Sequence, residues 1–176
     1  MDMFFALGQY PNLRCRSLMT GTAVEITFDA ASADLIPNVT LAGVNHQELN
    51  KIGGASFSNS EKEYAATIQK TFARDVQARI EKRGTILSEH VNEFAEKPTF
   101  LHGSTDVGDV SWIVPTGQVS MATAAYGTPP HSWQVVAQGK TSHAHKAMLQ
   151  AGKVLAAAAV RCLKDNELMA GRSRST

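Results

Sequence analysis

The stretch that most constrains this chain is one long helix near its C-terminal end, over residues 142–163. Met148, Ala151, Leu155, Ala158, Ala159 and Cys162 form its apolar stripe. The many alanines predict close packing against another layer. A striped helix buries its stripe only within a layered domain. The length allows one: 176 residues suffice for one domain and fall short of two full ones.

Upstream, the sequence predicts a mixture of elements. Val24, Ile26 and Phe28 alternate with Glu25 and Thr27, the pattern of a half-buried strand. Pro37 biases Ile36 toward an extended conformation, and Asn38 or Thr40 can cap a helix over 39–52. Leu41, Val44, Leu49 and Ile52 form that helix's stripe, and Gly53-Gly54 ends it through a left-handed cap. Ser60 to Glu63 reads as a capping box. It opens a helix over 61–83 that carries Tyr64, Ile68, Phe72, Val76 and Ile80 and is closed by Gly84. Four-residue spacing drifts about 40° per step, so this stripe winds round the helix. Residues 119–126 read as a buried strand of small residues, ended by the turn Gly127-Thr128-Pro129-Pro130. The tail, 171–176, is expected to be disordered. Strands mixed with helices place the chain in the α/β or α+β class.

Composition removes several functions. Seventeen basic against 16 acidic residues leave a net charge of +1, which gives no electrostatic footprint for nucleic acid or an anionic membrane. Cys15 and Cys162 make no disulfide scaffold. The apolar run 154–160 is too short to span a bilayer. The N-terminus carries Asp2 where a signal peptide would be basic. The expectation is a soluble, cytoplasmic protein.

Reactive residue types cluster in His102-Gly103-Ser104-Thr105-Asp106-Val107-Gly108-Asp109, and His131 follows later. Histidine and carboxylate suit zinc or manganese in a hydrolytic site. Equally, Asp106 and Asp109 can be turn and cap residues, with Ser104 or Thr105 capping a short helix. A lone loop histidine such as His131 is often just a surface group. His46 falls on the solvated side of its helix. His143 and His145 face different ways in a first helical turn and read as surface or subunit-contact groups. No P-loop, GxGxxG, HExxH or GxSxG elbow is present. The residues alone therefore point to a metal or acid–base site, with a self-contained set of His102, Asp106 and His131 as one form of it.

The fifteen residues His102 to Thr116 resemble a signature of the metal-dependent amidohydrolases and peptidases related to aminoacylases and carboxypeptidase G, and within them the p-aminobenzoyl-glutamate hydrolase group. Leu18 to Glu25, Asp34 to Asn38, Gly127 to Gln134 and the helix from Thr141 agree with it in order. The resemblance implies an α/β fold: the C-terminal part of a three-layer, zinc-exopeptidase-like catalytic domain over 37–170. It also implies a remnant of an inserted α+β lid or dimerisation domain over 1–36, with 1–14 unassigned. By the same resemblance His131 is a metal ligand, and Asp106, Asp109, Ser104 and Thr105 line or support the substrate pocket. The family's other ligands and its general-base glutamate have no counterpart here, since residues 1–14 hold neither an HxD pair nor adjacent glutamates. The resemblance thus implies part of a hydrolase for a small N-acyl amino acid or dipeptide, inactive alone. Zinc or manganese would belong to the complete enzyme and would not be held stably by this chain. The alternative is a non-catalytic partner or degenerate pseudoenzyme that contacts another copy or a full-length subunit.

Overall fold

The computed structural model describes residues 18–23, 27, 30–95, 103, 105–166 and 168. The chain divides into two compact units, Met1–Ser32 and Ala33–Thr176. In the first, residues 18–20 are helical, and the Thr20 and Thr22 hydroxyls lie 2.9 Å apart. The strand expected over 24–28 falls, apart from Thr27, outside the described residues, as does the tail.

Six helices make up the described part of the second unit: α1 Val39–Ile52, α2 Asn59–Gln69, α3 Arg74–Arg83, α4 Val107–Ser111, α5 Trp133–Gln138 and α6 Ser142–Lys164. No strand occurs among the described residues, so the layered α/β arrangement expected from the sequence does not appear there. Residues 119–126 are irregular instead of forming a strand. A strand needs a neighbouring ladder. Here Thr123 N–H bonds locally to Met121 O, Ala125 N–H goes to a side chain, and Tyr126 N–H reaches Ile86 O at 2.8 Å.

α1 has the expected span. Asn38 Oδ1 accepts the Leu41 N–H at 2.9 Å, and Gly53, at φ 82°, donates its N–H to Leu49 O at 2.7 Å. Gly53 departs from a left-handed cap in ψ, which is 170°. The helix expected over 61–83 is two helices, and its cap is Ser58 rather than Ser60. Ser58 Oγ accepts the Glu61 N–H while Glu61 Oε2 accepts the Ser58 N–H. A turn at residues 70–73 separates the two helices, with Phe72 buried there. Gln77 Nε2 then satisfies the freed carbonyls of Lys70 and Phe72, at 3.0 and 2.8 Å. Gly84, in the left-handed region, ends α3 as expected.

α6 begins one residue after its cap, Thr141, whose Oγ1 accepts the Ala144 N–H. Its buried side is His143, Ala144, Ala147, Val154 and Ala158. Met148 and Leu155, expected in the buried stripe, are exposed. Two contacts set this rotation. Gln150 Nε2 donates to the last carbonyls of α1, Ile52 O and Gly53 O, at 3.2 and 3.0 Å. Arg161 reaches Gln47 and Glu48 on α1. Small Ala147 then lies in the core with Ala55, Phe57, Ala65, Leu87 and Ala125.

His143, expected on the surface, is 1% exposed. Its ring lies edge-on to Phe57 and tilted to Tyr64. Thr141 Oγ1 sends its one hydrogen to Gln138 O at 2.6 Å, so His143 Nε2, 3.1 Å away, is the donor to that oxygen. Burial pushes the imidazole pKa below its ordinary value, and the nearby Glu61 carboxylate opposes that only in part. Glu61 is also buried. Lys146 Nζ at 2.8 Å, Ser142 Oγ at 2.6 Å and the Ser58 N–H at 2.7 Å hold its pKa down at about 2.

Two measurements check this. Replacing Glu61 with Ala strands Lys146 and Ser142 and breaks the cap, and should cost about 1–3 kcal/mol in urea unfolding. The Glu61 contribution is fully present above pH 4.5 and is lost as the pH falls toward 2, because the unfolded carboxyl binds its proton first. His143 acts at higher pH. Its folded pKa is depressed, so stability is complete above the unfolded value of 6.5 and declines as the pH falls below it. The slope just below pH 6.5 should flatten in His143→Gln; an unchanged slope would refute the buried neutral imidazole.

Candidate functional site

Two segments carry the chemical residue types. The first is the signature around α4. Asp106 stands at its N-terminus, exposed, with no capping bond from its side chain. Thr105 Oγ1 accepts the Val107 N–H at 3.3 Å, and Thr105 O accepts the Gly108 N–H. The following residues grip the backbone of residues 33–36. Asp109 Oδ1 accepts the Ala33 N–H at 2.8 Å, and Ser111 Oγ accepts the Ile36 N–H at 2.9 Å. Trp112 Nε1 donates to Asp34 O at 2.9 Å. Gly108 makes this approach possible, because a Cβ there would collide with Ala33 O. Asp109 therefore spends one carboxylate oxygen on a backbone clasp, while Thr105 and Asp106 stay accessible. Ser104 and His102 lie outside the described residues.

The second segment is the loop that bears His131. It is braced at both ends by buried glutamines. Gln69 Nε2 donates to Thr85 O and Tyr126 O, at 3.2 and 3.0 Å. Gln138 is 0% exposed. Its Oε1 accepts the Ala125 N–H at 2.8 Å, and its Nε2 donates to Thr128 Oγ1 and Gln134 O at 3.1 and 3.0 Å. The Arg83 guanidinium stacks over the Tyr126 ring, 4.9 Å from its centre. Gly127, at φ 87°, fits against Val76 and Ile80, which a Cβ would meet at 3.1 Å. Ser132 caps α5 and donates its hydroxyl hydrogen to Pro129 O.

His131 stands between these braces with its side chain exposed and with φ at 55°. It is the one described non-glycine residue at positive φ. Backbone strain of this kind, held by a fixed frame, concentrates at functional positions. No hydrogen bond or ion pair ties the ring to a described residue. No group of three His, Cys, Asp or Glu side chains among the described residues comes together to hold a metal ion. The described residues thus do not make a metal centre by themselves, and the structure does not bring His131 into a cluster with Asp106 and Asp109. His46, expected to be solvated, is half-buried with its ring against Phe94 at 5.3 Å. Gln138 and His143, which organise this region, carry no mark in the sequence: no motif spacing distinguishes a glutamine that will be buried.

Gln138→Leu removes a donor and an acceptor and leaves the Ala125 N–H buried without a partner. It should cost about 1–3 kcal/mol and speed hydrogen exchange at Ala125. His131→Gly relieves the left-handed strain and should leave the urea midpoint unchanged or raised; a clear loss of stability would refute strain at this position.

No family model and no solved structure matches the chain. A curated protein does: a subunit of p-aminobenzoyl-glutamate hydrolase from Escherichia coli (strain K12), 36% identical over 170 residues, covering 87% of this chain. The chain spans only 35% of that protein's length. Over most of its own length, then, the chain is a relative of this p-aminobenzoyl-glutamate hydrolase subunit.

Proposed function

We propose that this chain forms part of an amidohydrolase acting on p-aminobenzoyl-glutamate or a similar small N-acyl amino acid or dipeptide. One observation carries the reading: the 36% identity to a protein named as a subunit of that hydrolase. The geometry of His131 supports it. The imidazole is exposed, unengaged by the described residues and held at φ 55° by a frame of buried glutamines, as a ligand-presenting loop requires. Asp106 and Thr105, exposed at the start of α4, are the residues of the signature left to meet a substrate, with Ser104 beside them in sequence.

In this reading residues 37–170 belong to the catalytic domain and 1–36 to a lid. His131 supplies one ligand to a zinc or manganese ion of the complete enzyme. A protein-bound metal takes about three or four protein ligands. The described residues bring a single imidazole to this position, so the chain alone is inactive. Among the described residues no helix is long and apolar enough to cross a membrane.

The test is a chimera in which this chain replaces the matching portion of the Escherichia coli protein. The folded chimera should hydrolyse p-aminobenzoyl-glutamate, and His131→Ala within it should lower kcat by about 100-fold or more. The 176-residue chain alone should release no product with added zinc or manganese. Turnover by the chain alone would overturn the incomplete site, and a folded but inactive chimera would overturn the hydrolase reading.

A further inference from the structure

We propose that the outer face of α6 is the docking surface for a protein partner that presents an apolar helix or sheet face edged by carboxylates. The proposal stands independently of the hydrolase reading. Apolar side chains cover about two-thirds of the α6 circumference, and Lys146, Gln150, Lys153, Arg161 and Lys164 occupy the rest. Ala147, Val154 and Ala158 point into the chain's own core. Met148, Leu149, Leu155, Val160 and Leu163 stand on the other side, and Leu163 is 80% exposed. An apolar sector this wide exceeds the single stripe that a surface helix buries against its own core. At 100° per residue the five exposed side chains span an arc of about 140°. Exposed Gly152, Ala156 and Ala159 form its floor, and a Cβ at Gly152 would meet nothing within 4 Å. Large side chains rimming a floor of small ones let another backbone approach closely. Contiguous exposed apolar surface of this kind marks an interaction site.

Charge selects the occupant. α6 contains no aspartate or glutamate. Of its cations, Lys146 is engaged by Glu61 and Arg161 by Glu48. Lys153 reaches only the Gln150 side-chain oxygen, at 3.5 Å, and Lys164 makes no side-chain hydrogen bond or ion pair with a described residue. At helical spacing Lys153 and Lys164 lie together on one edge of the apolar arc. A partner with carboxylates on that edge completes them, and complementary charge fixes both register and choice of partner. An antiparallel pair of α6 helices from two copies would set this lysine edge against itself. A lipid surface favours bulky and aromatic side chains on the apolar side, where α6 has a glycine–alanine floor and no Phe, Tyr or Trp.

The experiment uses the full chain and two synthetic amphipathic peptides with the same leucine–alanine face, one edged with glutamate and one with lysine. Neutral and anionic lipid vesicles serve as further probes, and light scattering reads the chain alone. The glutamate-edged peptide should bind at least about tenfold more tightly than its lysine twin, and combined Lys153→Glu and Lys164→Glu should reverse that preference. Gly152→Leu fills the floor without changing charge and should weaken binding about tenfold, with helical circular dichroism intact. Equal binding of the two peptides would overturn the proposal. So would vesicle binding without peptide binding, or a stable dimer of the chain that Gly152→Leu abolishes.

Discussion

The second unit depends on one buried carboxylate. Glu61 closes the capping box that starts α2, and the same two oxygens take Ser142 Oγ and Lys146 Nζ from the first turns of α6. A carboxylate held out of water is costly unless every lone pair is engaged. Here three donors engage it, and its pKa near 2 reports how strongly they favour the ionised form. The junction fixes where α6 starts and which way it faces. That choice places His143 inside, beside Glu61, as a neutral ring that donates to Thr141.

Similar polar joints hold the rest. The core is made largely of small side chains, so elements approach closely and bury backbone groups that need partners. Gln69, Gln138 and Gln150 supply them, each bridging from a helix to carbonyls or amides of another segment. Glu89 does the same for the start of α2, accepting the Phe57 N–H and Lys62 Nζ, both at 2.7 Å. The consequence for the site is rigidity: the His131 loop is fixed on both sides, and the α4 signature is pinned to residues 33–36. The same signature thus has two parts. Gly108, Asp109, Ser111 and Trp112 hold backbone, and Thr105 and Asp106 remain open.

Much of the helical layout is legible in the sequence. α1 and α6 lie where capping residues and periodicity put them, because Asn38 and Thr141 act within one turn of themselves. The relation to a p-aminobenzoyl-glutamate hydrolase subunit is legible as well, through a run of residues whose order does not depend on packing. The region 61–83 is not legible as two helices, because a stripe that winds this slowly fits one continuous helix as well as a broken one. Small apolar residues at 119–126 suggest a strand, but pairing belongs to a neighbour and not to the segment itself.

Residue order alone sets where α1 and α6 begin and end, the chemical types available, and the kinship of the chain. Those are local properties, set by side chains acting on their own backbone within a few residues. Long-range packing settles which side of α6 is inside, that His143 is buried with its pKa pushed down, and that Asp109 clasps Ala33 while His131 stands free of the described residues. An apolar helix offers more than one face to bury. The choice between them was made by Glu61, Gln150 and Arg161, whose partners lie about 80 to 115 residues away along the chain.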